Sequence, residues 1–344
     1  MNGYERIFSV LDGKRPDRVP MMLHSALMVA GRMGYTQEQF RNSAEIIAET
    51  NIRFAEDYGM DGMLIDMDTC VEADAMGAKV DYPKDGPARM GGNLSEDIDI
   101  LRKEITTDKI LSSRRTEIML ESIRMMKERI GGQILIRGNC DQMGFSLASL
   151  LMGMTPFFEA LMDEDLEDDI LDIIDRCTDV HILYHKMMKE AGADITSFGD
   201  SPCGPDLISL SMYRKFAKPF HKKLKDALDA ENIRTLCHIC GRLDLILEDL
   251  AELNFDAVEI DYKTDMEKAA AVMKGHSVVF GPIDPSGVFF FGTPEKIVEE
   301  TQKQLDIFRG RGLVIGAGCA LPMGTPDANI RAFADTVRAY KIPE

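Results

Sequence analysis

Short apolar runs recur along the chain at 18–23, 61–66, 133–139, 194–198, 234–239, 256–260, 277–281 and 313–317. Each has the length of a buried strand. Between them lie segments whose apolar positions repeat at helical spacing, among them 116–130, 212–231, 243–253 and 294–309. Pro294 and Pro326 stand near helix starts, directly after Thr293 and Thr325, which can act as N-caps. Parallel strands need long crossovers, so eight strands alternating with helices imply a parallel sheet. The expected fold is α/β, a closed (β/α)8 TIM barrel, with two doubly wound halves as the alternative. No Gly/Ser linker or composition shift divides the chain, so residues 1–344 are read as one domain. The stretches 71–107 and the acidic 163–179 are read as excursions within it.

Charge narrows the function classes. A formal net charge of −18 opposes nucleic-acid and anionic-membrane partners. The first 20 residues carry charges where a signal peptide needs an apolar core, and no apolar run reaches the roughly 20 residues of a membrane span. A cytoplasmic protein is expected. Seven cysteines without framework spacing fit reduced thiols, which turns attention to metal binding and thiol chemistry.

In a barrel, function gathers at the C-terminal strand ends. Those ends carry His24, Asp66 with Asp68, Asn139 with Asp141, Asp200, His238 with Cys240, Asp261, Asp284 and Cys319. The sharpest pattern is His238-Ile239-Cys240. Residues i and i+2 of a strand face one side, so the imidazole and the thiol point together into the barrel mouth. Cys319 ends another strand after Gly316-Ala317-Gly318, whose small side chains leave room near the axis. One imidazole and two thiolates with an open position suit a catalytic zinc. Three ordinary buried residues would give the same pattern, since free cysteine is commonly a core residue.

Other motifs carry less. Cys237 and Cys240 form a C-x-x-C, but at a strand end residues three apart face opposite ways, which places Cys237 in packing outside the barrel. His181 and His185 share a helix face without the metalloprotease glutamate and are read as a solvated face. Asp66 and Asp68 could hold magnesium or cap a loop. The Gly-Ala-Gly run lacks the third glycine of a dinucleotide fingerprint, and the 23 methionines are read as core filler.

The second half of the chain resembles the uroporphyrinogen decarboxylase superfamily, and within it the zinc-dependent methylcobamide:coenzyme M methyltransferases. The resemblance is carried by Gly199-Asp200-Ser201, Leu210-Ser211-Met212-Tyr213, His238-Ile239-Cys240-Gly241 and Gly281-Pro282-Ile283-Asp284-Pro285. It continues through Gly292-Thr293-Pro294-Glu295, Gly318-Cys319-Ala320-Leu321-Pro322 and Thr325-Pro326. It implies a barrel with zinc held by His238, Cys240 and Cys319. It also implies an acidic fourth ligand at the next strand end, where Asp261 stands with Glu259 two residues earlier on the same face.

The activity implied is transfer of a methyl group between a corrinoid, as methylcobalamin or a corrinoid protein, and a small thiol such as coenzyme M. Asn139, Asp200 and Asp284 are then candidates for orienting the thiol or the corrinoid edge, or else for organising strand-end loops. Two further readings are a decarboxylase and a methyl-donor:corrinoid protein methyltransferase. The first binds its polycarboxylate tetrapyrrole through an arginine-bearing N-terminal motif, where this chain has His24-Ser25-Ala26-Leu27. The second is not expected to use His-x-Cys. A non-catalytic corrinoid- or metal-binding module is the remaining class.

Overall fold

A computed structural model describes the backbone of residues 1–344 and every side chain except those of Ala26 and Leu27. Among the described residues, seven strands make one parallel sheet in chain order: β1 Gly62–Ile65, β2 Leu135–Gln142, β3 Ile195–Gly199, β4 Thr235–Ile239, β5 Ala257–Ile260, β6 Val278–Ile283 and β7 Leu313–Ala317. All seven coincide with an expected run to within a few residues. The eighth run, 18–23, is extended but pairs as an isolated parallel bridge, Met21 with Ile315.

That bridge closes the barrel. Met22 N–H donates to Ile315 O (3.0 Å) and Ile315 N–H to Pro20 O (2.9 Å), while Asp61 N–H, at the foot of β1, donates to Met21 O (2.9 Å). The segment therefore sits between β7 and β1. It stays short because Pro20 has no N–H to donate. It is secured by the Asp61 carboxylate, which accepts from Met21 N–H (2.8 Å) and from both Arg6 and Arg18. The close passage needs Gly316, where a Cβ would lie 1.9 Å from Met22 O.

Strand alternation divides the apolar residues into two cores. Leu64, Leu135, Ile195, Leu236, Ala257 and Val314 fill the lower barrel interior, plugged from below by Ile7 and Val10 of the helix Gly3–Leu11. That helix begins in a capping box between Asn2 and Glu5. The opposite faces, with Met63, Ile136, Cys237, Val258 and Ile315, pack against the surrounding helices.

Several expectations need correction. The acidic stretch 163–179 is not an excursion: it opens the 25-residue helix Glu167–Ala191. Its acids crowd the first turn, where the helix dipole favours negative charge, and Ile170, Ile173, Ile174 and Cys177 face inward. The single helix expected over 212–231 is two, Leu210–Phe216 and Lys218–Asp229. Pro219 cannot donate to the preceding turn and breaks it. His181 and His185 are fully buried, not solvated. Their Nε2 atoms lie 3.0 Å apart, and their Nδ1 atoms meet Glu72 and Thr196, each at 2.7 Å. No helix among the described residues is long and apolar enough to cross a membrane.

Closure at Gly316 is testable. Gly316→Ala forces Met22 away from β7 and should cost about 1–3 kcal/mol in denaturant unfolding. Gly31→Ala, in a helix with nothing within 4 Å of the added Cβ, should be neutral or stabilising by about 0.5–1 kcal/mol. Equal stabilities would contradict the packing described.

Candidate metal centre

β4 runs Leu236-Cys237-His238-Ile239 into Cys240, and its inward positions are Leu236, His238 and Cys240. Gly241 then turns the chain with φ +96°, close enough to Asp206 that a Cβ would clash with its carboxylate. β7 ends at Ala317, and Gly318, with no side chain, passes against the Ile260 carbonyl so that Cys319 can turn to the axis. The result is a three-donor cluster. His238 Nε2 lies 3.1 Å from Cys240 Sγ, and Cys240 Sγ lies 3.6 Å from Cys319 Sγ. All three donor atoms fall within 4.8 Å of one another.

The donor geometry fits zinc. Two thiolates on one tetrahedral ion, at Zn–S about 2.3 Å, stand about 3.8 Å apart, close to the observed 3.6 Å. His238 Nδ1 is occupied on its far side, 3.1 Å from Glu259 O and 3.4 Å from Glu259 Oε2. That contact makes Nδ1 the donor and leaves Nε2 as the ligand nitrogen.

Electrostatics already favour thiolate here. The hydrogen bond from Cys319 and the adjacent His238 bring Cys240 down to about 3 against the opposing effect of burial. Cys319, hydrogen-bonded to that thiolate and buried, is pushed up. Burial alone would lower His238, but the Cys240 thiolate and Glu259 raise it to about 9.

The other expected site residues take varied places. The Asp261 carboxylate stands apart from the three-donor cluster: its oxygens accept from Gly241 N–H (2.8 Å) and Lys263 N–H (3.1 Å). Asn139 faces inward and accepts from Ser197 Oγ at 2.8 Å. Asp200 does not face the mouth. Its side chain turns outside the barrel, fully buried, bonded to Ser146 and to His221 Nε2 (2.8 Å). Cys203 joins Asp200 and His221 in a second group of potential ligands. Both Asp200 oxygens and both His221 nitrogens are already used, the last by Tyr213, so that group is a structural network. Asp284 caps the turn 285–290 through Ser286 and Gly287 N–H.

Asp66 and Asp68 do not act as a pair. Asp68 is bound by Arg115, and Asp66 lies 3.5 Å from His24 Nε2. Sequence reasoning missed Arg137 and the role of Glu259, which form a buried ion pair across the interior. The available signal was a charge in the middle of each apolar strand, since a buried charge requires a partner.

Comparison with known proteins places the chain in a family. The uroporphyrinogen decarboxylase (URO-D) family model matches residues 2–340. The chain belongs to the uroporphyrinogen decarboxylase family. Within that family it is similar to a methylcobamide:CoM methyltransferase, MtbA, of Methanosarcina acetivorans, at 26% identity over 98% of each chain. Similarity to a uroporphyrinogen decarboxylase of Prochlorococcus marinus reaches 29% but covers only 44% of this chain. The fold matches that of a solved methyltransferase from Methanosarcina mazei with a TM-score of 0.89 over 98% of both chains, at 23% identity.

The donor set predicts a clear mutational pattern. His238→Ala, Cys240→Ala and Cys319→Ala should each abolish stoichiometric zinc while leaving circular dichroism and most stability intact. Cys237→Ser should keep zinc, because Cys237 belongs to the outer core. Metal analysis showing Cys237 required and Cys319 dispensable would rule out this centre.

Proposed function

We propose that this family member is a zinc-dependent methyltransferase that moves a methyl group between a corrinoid and a small thiol such as coenzyme M. The observation that carries the reading is the convergence of His238 Nε2, Cys240 Sγ and Cys319 Sγ at the barrel mouth. Bound zinc would supply the charge that makes a coordinated thiol a thiolate at neutral pH, where a free thiol of pKa about 8.5 is mostly protonated. His238, Cys240 and Cys319 would hold the ion, with Asp261 as an exchangeable fourth ligand that leaves its two N–H partners to reach it. In the transfer, a carbon–sulfur bond forms as the carbon–cobalt bond of the methylated corrinoid breaks, with the electron pair staying on cobalt.

A corrinoid-bearing protein partner suits the rim. Exposed apolar side chains stand on the loops after five successive strands: Leu207, Leu245, Tyr262, Phe291 and Met323. Phe291 is 77% exposed. Exposed apolar side chains on consecutive strand-end loops are what a partner docking at the mouth would bury. The decarboxylase reading has less support. Arg137, which projects into the barrel, is held by Glu259 and offers no free charge to a polycarboxylate.

Two experiments test the proposal. Incubated with a panel of small thiols and either methylcobalamin or a methylated corrinoid protein, the protein should demethylate cobalt and form the thioether in matching amounts. Zinc removal should stop turnover without unfolding the barrel. Inactivity on every thiol, together with carbon dioxide release from a carboxylated tetrapyrrole, would move the assignment to decarboxylase. For the fourth ligand, Asp261→Ala should weaken zinc modestly without abolishing it. X-ray absorption on the wild type should show an oxygen neighbour replaced by sulfur when thiol is added; an unchanged sphere with an active thiol would reject the exchange.

A further inference from the structure

Beneath the thiols lie two charges to which the proposed transfer assigns no part. Arg137 projects from β2 and Glu259 from β5, strands separated in the sheet by β3 and β4, so the pair spans the barrel interior. Arg137 Nη1 and Nη2 donate to the two Glu259 oxygens at 2.9 and 3.1 Å. The side chains are 2% and 4% exposed. Glu259 Oε2 is also 3.4 Å from His238 Nδ1, while the Glu259 carbonyl lies 3.1 Å from the same nitrogen. The carboxylate thus faces a guanidinium fork on one side and the far edge of the candidate ligand ring on the other, with His24 Nδ1 3.9 Å from Oε2.

We propose that the Arg137–Glu259 pair is a positioning device for His238, setting how tightly the three-donor centre holds its metal. This rests on the zinc reading of His238, Cys240 and Cys319. A bidentate guanidinium fixes the plane of a carboxylate, where a single contact would leave it free to turn. The fixed carboxylate, with the backbone carbonyl beside it, fixes the ring, keeps the proton on Nδ1 and aims Nε2 at the thiols. Carboxylate partners behind a ligating histidine set metal affinity in this way. Arg137 has a separate task. It makes burial of the Glu259 charge tolerable and holds Glu259 in place, so it reaches the metal only through Glu259.

The test measures zinc affinity by competition with a chromophoric chelator, together with the visible spectrum of the cobalt(II)-substituted protein. Four proteins are compared: wild type, Glu259→Gln, the double variant Arg137→Met/Glu259→Leu, and Ile170→Ala, in the outer helical core, as a destabilised control. Buried ion pairs replaced by apolar residues commonly keep the fold, so the double variant decides the matter wherever Glu259→Gln leaves Arg137 uncompensated and fails to fold. Both Glu259 variants should bind zinc about 10–100-fold more weakly and shift the cobalt(II) bands. Ile170→Ala should lose stability and leave affinity and spectrum alone. Folded Glu259 variants with wild-type affinity and spectrum would overturn the positioning role while leaving the zinc centre standing. A wild type that takes up no zinc would instead overturn the centre itself.

Discussion

Barrel closure by residues 20–22 is the constraint on which the site depends. Cys240 follows β4 and Cys319 follows β7, with β5 and β6 between them. On a flat sheet, three strand spacings of about 4.8 Å would hold these positions about 14 Å apart, yet the sulfurs lie 3.6 Å apart. Only a sheet curled on itself turns both side chains toward one axis. The curl is maintained where the last strand meets the first, by Met22 and Ile315 on one side and Met21 and Asp61 on the other. Asp61 is the clasp. Its buried carboxylate joins the Met21 N–H to Arg6 of the plugging helix and to Arg18 of the closing segment, so the plug, the closing segment and β1 are fixed by one group.

Much of this was legible in the sequence because it follows from alternation. The His-x-Cys spacing places two donors on one face wherever the strand begins or ends. Cys319 was legible because glycines before it left the axis clear. Residues whose roles depend on a partner far along the chain were not legible in the same way. Asp200 reads as a strand-end group for orienting the thiol or the corrinoid edge, but a shift of one position past β3 turns it outward to His221 and Ser146. The acidic start of the helix Glu167–Ala191 hid its apolar face, because its charges concentrate in the first turns while the buried positions begin at Ile170. His181 and His185 could be placed on one face of that helix, but only the packing of the helix against Glu72 and Thr196 shows which way the face turns.

The barrel interior changes character with height. Its lower layer is apolar, from Leu64 round to Val314, and sealed by Ile7 and Val10. The next layer carries Arg137, Ser197, His238 and Glu259, all buried. Low dielectric makes isolated charges expensive and paired ones strong, so a polar layer above a sealed apolar one must be nearly self-satisfied. Arg137 Nη1 and Nη2 both bond to Glu259, and the pull of the guanidinium and of His238 takes Glu259 down to about 2 despite burial. Charge pairing at this level lets titratable donors stand at the mouth with a stable barrel below them.

β4 ties these levels together. Leu236 packs in the apolar layer, His238 in the polar one, and Cys240 stands just above, while Cys237 and Ile239 face the helices. A slip of one residue would turn the two donors outward and bring Cys237 and Ile239 in. The same slip would bury polar groups among the helices and remove Leu236 from the plug, so register is enforced by packing well away from the sulfurs. The two neighbouring ladders agree, pairing His238 with Gly199 on one side and with Glu259 on the other. At Gly199 a Cβ would crowd the Asp141 carbonyl (3.2 Å), and Glu259 supplies the acceptor for His238 Nδ1 (3.1 Å). Alternation along β4 thus sets the facing of His238 and Cys240, and closure of the barrel brings Cys319 to them.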